Sequence, residues 1–533
     1  MKERLVESWL SKINERGYGI TFCQILASKG YRVIRYGHSS IELGKDVLAI
    51  SPQGDVCAYQ LKSGDVSLAD VTKHIEQLQM LVATHPVHPG LPSTFVYRVF
   101  FVTTGDFKDP AIALIKELNA KWRMHRWPEV QTIGGRDLVT DLIAMSSDFW
   151  PTEAPDMRAF LELHLARGRG DLDIGKLARL LRQIVEGKGS ARDVERRSAA
   201  ANIFCSYALG GFYATDDHWS IFQGWTVCAS TIGYMGESFE VPKDSWMPSF
   251  TLAKEGAMNA LRLLSEEALC DGAFIVQDRE IDQYTRVRNT TALAATAAYM
   301  LIAADRVTAA NRFKPLALIA QFIERDRLVF WGEGAFSQFA MLIWFLESFG
   351  LQEPASILLQ TLLSTVVSSN APGSLNPLSD PYSNADECLV NMIKAVENNQ
   401  PSPRRKSVYS YSLLPIVTLL ARRDLRSVLE DHWKAVSQVR ITWFRPEKPA
   451  GMLLWRCESG SEQDGGFDQP QSWDELRKYA CRDDRERLPS LLRDDFEFGL
   501  MFMLAFPHRI SVSLTKLLDE KLCSLAKTEN TMA

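Results

Sequence analysis

The chain has 533 residues, 46% hydrophobic, 23% charged and 10% aromatic, with a formal net charge of −5. That length exceeds what one core fills and calls for two or three domains, and the composition excludes wholesale disorder. The acidic balance excludes a general nucleic-acid coat and leaves room only for a local basic cleft; nine cysteines with no C-x-x-C pair argue against a structural zinc site and a secreted disulfide framework.

Residues 4–28 predict one helix, with Leu5, Trp9, Ile13 and then Phe22, Ile25 and Leu26 on recurring faces, stopped by Gly30. This start carries acids and lacks an apolar stretch followed by small residues, so no cleaved signal peptide is expected. Residues 31–36 (YRVIRY) read as a strand, 47–50 as a second and 56–61 as a third, the last two separated by the turn Pro52-Gln53-Gly54-Asp55. Ser67 or Asp70 caps a helix running through His74, Leu78 and Leu81 toward Thr84. Residues 85–93 hold three prolines and read as a loop. An apolar strand follows over 96–103, a helix opened by Pro110 and reaching about Arg123, a short strand at 130–133 and a closing helix over 137–145. The order predicts a mixed α/β sandwich.

After Trp150 the apolar spacing becomes helical, as in LARLLRQIV (177–185) and FAMLIWFLESF (339–349), with no strand runs between 157 and 363. Loops rich in Ser, Asn and Pro are expected at 368–384 and 398–407, and a last helical block over 408–527, broken by a polar loop at 458–472. No fixed-period repeat is present, which predicts an irregular helical region. The expected division is thus an α/β domain over 1–150 and an all-α region over 151–533, itself subdividing near 368–407. Pro151 and Pro155 flank the boundary, so a fragment ending near Asp156 is expected to stay soluble and bind metal. The apolar runs at 290–304 and 339–346 fall short of the roughly 20 residues a bilayer helix needs. No membrane contact and a cytoplasmic location are therefore expected.

Chemistry concentrates in the hairpin 46–62. Alternation along a strand puts Gln60 and Lys62 on one face, and a turn centred on Gly54 sets Asp46 opposite Lys62 and Leu48 opposite Gln60. A one-residue slip in pairing would send Asp46 to the other face. Mg²⁺ (or Mn²⁺) takes oxygen ligands, often one or two carboxylates with water and phosphate. Asp46 would supply the carboxylate, Gln60 a neutral oxygen and Leu61 its carbonyl, while Lys62 would hold the attacking water and offset developing charge. The plainer alternative for Asp46 and Lys62 is a cross-strand salt bridge. On the following helix, Lys73 and His74 are candidates for phosphate contact, or simply half-exposed. His38 and Glu42 lie at the mouth of the site or in a polar loop. His85 and His88 read as loop residues, Asp216, Asp217 and His218 as a helix cap, and Arg404, Arg405 and Lys406 as a solvated linker.

The stretch GKDVLAI…VCAYQLKSGD resembles motifs II and III of the PD-(D/E)xK (restriction endonuclease-like) nuclease superfamily, with Gln60 in place of the second acid. The similarity extends through GYRVIRYGHSSIELGKD, FFVTTG and TIGGRDLV, and covers residues 1 to about 148. It implies a mixed sheet flanked by helices, Mg²⁺-dependent cleavage of DNA or less often RNA, and, as in fused relatives, a helical sensor region serving bacterial defence against foreign DNA. A homo-oligomer or a defence-system partner protein is expected on the same ground. Such nucleases usually carry a metal-binding Glu on the first helix. Here the aligned stretch YGITFCQILASKGY offers Gln24 and no acid; Glu15 or Glu7, earlier on that helix, or Glu42, before the GKD turn, are the candidates to complete the site. The alternatives are a catalytically inactive nucleic-acid-binding module that keeps the fold, and a scaffold protein dominated by its helices.

Overall fold

Asn14 divides the first apolar run into two helices, α1 (Lys2–Leu10) and α2 (Glu15–Ser28), where one was expected. Its side-chain oxygen accepts the Gly17 N–H at 2.9 Å, and an N-cap needs extended backbone, which ends the helix before it. The structure is a computed structural model that describes residues 2–36, 45–87, 91–92, 94–145, 154–166, 170–187, 190–270, 283–304, 309–324, 328–371, 378, 381–398, 409–467 and 472–532. It forms two compact units, Met1–Ala260 and Leu261–Ala533.

In the first unit, β1 (Arg32–Tyr36), β2 (Val47–Ile50), β3 (Val56–Lys62), β4 (Tyr97–Thr103) and β5 (Val130–Ile133) make one sheet whose spatial order is the chain order. β1, β2 and β3 pair antiparallel, which short turns allow; β3, β4 and β5 pair parallel, which requires crossovers. The crossovers are α3 (Leu68–Lys73) with α4 (Ile75–Ala83), and then α5 (Asp109–Met124). α3 starts at a Ser67–Asp70 capping box, so the two residues read as alternative caps act together. α6 (Gly135–Met145) closes the α/β segment.

The sheet is covered on both faces. Leu48, Val56, Ala58, Val99, Phe101 and Val130 pack with Leu78, Leu81, Val82, Ile115, Leu118 and Trp122 from α4 and α5. On the other face Tyr59 stacks on Phe100 at 4.7 Å and meets the edge of Phe22 from α2 at 5.1 Å. β4 was expected to be buried on both faces; most of it is, while Arg98 reaches solvent and pairs with Asp55.

The sheet ends where the composition shifts, yet the compact unit continues to Ala260. α7 (Ala154–Ala166), α8 (Ile174–Val185), α9 (Ala191–Ala208), the short α10 (Gly210–Tyr213), α11 (His218–Ser238) and the start of α12 (Met247–Ala268) build on α2. The Ser206 hydroxyl donates to the Gly17 carbonyl at 2.7 Å, Trp9 stacks on Tyr207 at 5.2 Å, and the Asn14 amide donates to the Tyr213 carbonyl at 3.3 Å. A Cβ at Gly17 would stand 3.2 Å from the Tyr213 ring and closer still to Ile13, so only glycine admits this approach. α2 therefore has two buried sides, and the Trp150 boundary marks the end of the sheet alone. Asp217 caps α11, accepting the Ser220 N–H at 3.1 Å, as read for Asp216, Asp217 and His218.

The second unit holds the rest of α12, then α13 (Gln283–Ile302), α14 (Ala309–Glu324), α15 (Phe336–Ser348), α16 (Gln352–Ser369), α17 (Ala385–Asn398), α18 (Leu413–Arg422), α19 (Arg426–Val436), α20 (Trp473–Cys481), α21 (Ser490–Asp494), α22 (Phe496–Ala505) and α23 (Val512–Met532). It is not all-α. β6 (Tyr409–Ser410), β7 (Arg440–Pro446) and β8 (Gly460–Gly465) form a three-stranded sheet in that order. β7 carries the β-forming run Ile441-Thr442-Trp443-Phe444. β8 (GSEQDG) has no apolar residue and lies in the stretch read as a polar loop, held by its antiparallel ladder to β7. Arg404, Arg405 and Lys406 lie outside the described residues. Among the described residues no helix is long and apolar enough to cross a membrane.

α15, α18 and α23 are tied by buried charge. Asp519 accepts from Trp344 Nε1 at 2.9 Å, Arg422 Nε at 2.5 Å and Arg423 Nη2 at 2.8 Å, while Arg423 grips Glu347 at 2.5 and 2.6 Å. Burial works against the Asp519 carboxylate, but Arg423 and Arg422 outweigh it and hold its pKa below the ordinary range.

Two outcomes are expected. A fragment ending at Asp156 exposes Trp9 and Ile20, each worth roughly 2–3 kcal/mol of burial, against a total stability of about 5–15 kcal/mol. It should aggregate or melt far below a fragment ending near Ala260; equal cooperative melting of both by circular dichroism would refute the shared core. Asp519→Ala leaves the buried Arg422 guanidinium without its acid and Arg423 with Glu347 alone, and should cost about 3–5 kcal/mol in urea unfolding; a loss under 1 kcal/mol would show the network to be dispensable.

Candidate active site at the end of strand β3

The hairpin closes one residue earlier than expected. Ser51 N–H donates to the Asp55 carbonyl at 2.8 Å, the Asp55 N–H donates to Ser51 Oγ at 3.1 Å, and Gly54 adopts φ +90°, a conformation that suits glycine. The resulting register pairs Val47 with Tyr59, Leu48 with Ala58 and Ile50 with Val56. Leu48 thus faces Ala58 rather than Gln60, and Asp46 lies beside Gln60 and Leu61 rather than opposite Lys62. The displacement is two residues, an even number, so the face on which Asp46 lies is unchanged.

Asp46 sits just before β2, its N–H bonded to the Tyr59 carbonyl at 2.9 Å. Its carboxylate then acts as a continuation of the strand: Oδ2 accepts the Leu61 N–H and the Gln60 Nε2, both at 2.7 Å. Asp46 is 8% exposed and Gln60 4%. Because the amide nitrogen of Gln60 faces the carboxylate, its oxygen must turn away, and Gln60 Oε1 is enclosed with no hydrogen-bond partner. By ladder alternation the Leu61 carbonyl lies on the β2 side, past the residue where β2 begins.

Lys62, next on the same face as Gln60, pairs with Glu15, its Nζ 3.2 Å from Oε1 and 3.4 Å from Oε2. Of the two candidate acids among the described residues, Glu7 and Glu15, the fold brings Glu15 to Lys62. Glu7 is exposed on the separate helix α1, and Glu42, like His38, lies outside the described residues. The break at Asn14 is what puts Glu15 in the first turn of α2, aimed at the end of β3. Reading α1 and α2 as one helix hid that placement.

Three further residues frame the pair. Tyr18, one turn along α2, donates its hydroxyl to the Lys62 carbonyl at 3.0 Å. Burial, reinforced by the charges of Glu15 and Asp46, pushes its phenol well above the ordinary range, so it remains a donor. Lys45, beside Asp46, is brought down to about 8 by burial. Neither residue was singled out in the sequence; a buried phenol or amine leaves no spacing signal. His74 stands at the junction of α3 and α4, its Nδ1 3.1 Å from Gln77 Oε1. Burial and then the charge of Lys62 lower its pKa, against smaller opposing effects from Gln77 and Glu15, so His74 lies within electrostatic reach of the site and is neutral at pH 7. Lys73 is exposed beside it. His85 packs its ring 5.1 Å from Tyr97, remote from this chemistry, and His88 lies outside the described residues.

Among the described residues no three His, Cys, Asp or Glu side chains form a metal-binding group. The oxygens present are of another kind: two carboxylates, Asp46 and Glu15, the partnerless Gln60 amide oxygen and the Leu61 carbonyl. Such a set suits a hard divalent ion that keeps waters and needs few acids, and would not hold zinc.

The Asp46 carboxylate carries a structural load as well. Asp46→Ala strands the Leu61 N–H and the Gln60 amide, which should cost about 3–6 kcal/mol, because hydrogen bonds to a charged acceptor are worth about 1.5–3 kcal/mol each. Asp46→Asn keeps an acceptor and should lose well under half as much. Equal melting temperatures for the two variants would contradict this geometry.

Compared with known proteins, the chain matches no family model, no curated protein and no solved structure.

Proposed function

We infer that the cluster Asp46, Gln60, Lys62 and Glu15 is the active site of a metal-dependent nuclease that hydrolyses phosphodiester bonds of DNA. The observation that carries this reading is the enclosed, partnerless Gln60 Oε1 beside the Asp46 carboxylate, with Lys62 two residues on and Glu15 against it. An unsatisfied buried oxygen costs about 1–3 kcal/mol, and coordination of a cation is a direct compensation.

Asp46, the Leu61 carbonyl and, once its amide turns over, Gln60 would hold the ion, with Glu15 as the additional acid. When bound, Mg²⁺ or Mn²⁺ would polarise the phosphate and lower the pKa of water. Lys62 would hold the attacking water by its ammonium and offset charge on the phosphate in the transition state. Tyr18 fixes the Lys62 backbone through the carbonyl. His74, neutral and close by, and exposed Lys73 would lie along the phosphates of the substrate. DNA as substrate and a role in bacterial defence rest on the resemblance of residues 1–148.

The test is incubation of the full-length protein with plasmid, linear and single-stranded DNA, and with RNA, in Mg²⁺, Mn²⁺ or chelator. Cleavage should require the cation. Asp46→Asn and Lys62→Ala should each reduce it by roughly 10²–10³, the size of loss seen when one transition-state stabiliser is removed. Gln60→Glu should retain cleavage while Gln60→Ala loses it, since the glutamate keeps an oxygen at that position. Near wild-type turnover in folded Lys62→Ala, or cleavage indifferent to chelator, would overturn the mechanism. Cation-independent binding without cleavage would leave an inactive nucleic-acid-binding module.

A further inference from the structure

The helices α8 and α9 form an elbow whose charge opposes that of the chain. Residues 174–197 hold seven basic and three acidic side chains, in a protein of formal net charge −5. The acids are partly spent within the elbow. Asp193 closes a capping box with Ser190 and lies 3.8 Å from Arg196, and Glu186 lies 3.6 Å from Arg182. Lys176 is paired with Glu162 at 2.9 Å. Among the described residues no hydrogen bond or ion pair engages the exposed guanidinium groups of Arg179 and Arg192. Arg197 bonds only a backbone carbonyl, that of Gly187.

The positions are those of an outward surface. On α8, Leu177, Ala178, Leu180, Leu181 and Val185 are buried, and the helix spends that face on α9 and α11; Arg179 lies opposite it. On α9, Val194 and Ser198 turn inward, leaving Arg192 and Arg196 one turn apart on the solvent side.

We propose that this elbow is a second nucleic-acid contact, where Arg179 and Arg192, with Arg196 and Arg197 beside them, bind the phosphates of a strand that also enters the site at Lys62. Among the described residues the cations here without a partner, Arg179 and Arg192, are arginines, whose planar forks match phosphate oxygens in pairs. A membrane surface fits less well, because an interfacial helix needs an unspent apolar face and α8 has none. The choice of nucleic acid as partner rests on the nuclease reading. The scale is consistent with one ligand. α9 touches α2 at Ser206 and Gly17, two residues from Glu15. Arg192 lies fourteen residues back along α9, roughly 21 Å at about 1.5 Å per residue, a distance covered by about six base pairs.

The experiment measures binding of a fluorescein-labelled 24-base-pair duplex to the full-length protein in EDTA, over a salt series, with cleavage assayed separately in Mg²⁺. The double variant Arg179→Glu/Arg192→Glu should weaken binding by roughly tenfold or more and reduce the slope of log K against log salt by about 2, one unit per phosphate contact. Glu195→Lys, exposed on the same helix, should tighten it. Unchanged affinity and slope in a double variant that melts like wild type, absence of duplex binding by the wild type, or loss of binding to phosphatidylglycerol vesicles with the duplex unaffected would each overturn the proposal. The two readings separate cleanly. Cleavage by a wild type whose double variant binds normally removes the elbow alone, and duplex binding through the elbow without cleavage removes the nuclease alone.

Discussion

At the end of β3, a side chain does the work of a backbone. β2 starts at Val47, and the ladder would leave the Leu61 N–H without a partner there; the Asp46 carboxylate takes it, and in the same stroke takes the Gln60 amide. From those two hydrogen bonds the rest of the site follows. Gln60 is turned so that its oxygen looks away from Asp46, Lys62 is carried onto the same face, and the edge of the sheet is sealed where it would otherwise be wet. Because one carboxylate satisfies both the fold and the proposed chemistry, its loss has two separable effects, and a substitution that preserves the acceptor is needed to tell them apart.

Much of the α/β segment was legible in the amino-acid order. The β-branched and aromatic runs at Arg32–Tyr36, Val47–Ile50, Val56–Lys62 and Tyr97–Thr103 became strands, and Pro110 opened α5. Convergence of Asp46 with Gln60 was legible too, though by a register two residues tighter, because the hydrogen bonds that close the turn belong to Ser51 and Asp55 rather than to residues symmetric about Gly54. What stayed hidden was set by tertiary context. Asn14 reads equally as a helix interior residue or a cap, and only the cap brings Glu15 to Lys62. β8 is a strand made of Gly, Ser, Glu, Gln and Asp, stabilised by β7 and by no propensity of its own. Tyr18 and Lys45 owe their roles to burial, which spacing does not encode.

Two buried polar clusters, one in each unit, are balanced differently. In the second, Asp519, Glu347, Arg422 and Arg423 neutralise one another, so every charge has its opposite within reach. Fully paired networks of this kind hold helices in one register, at the expense of ion desolvation, and leave nothing for a ligand to complete. At β3 the balance is incomplete: a carboxylate and an amide satisfy each other on one side and leave an oxygen unanswered on the other.

α2 belongs to two cores at once, with Phe22 against the sheet at Tyr59 and Gly17 against α9 at Ser206. A helix clamped on both sides cannot tilt or slide toward one neighbour without being pulled from the other. Glu15 rides on its first turn, so the acid facing Lys62 is mechanically geared to the helical layer behind it. The Lys62–Glu15 separation is therefore set by the packing of α2 on α9 as much as by any residue of β3.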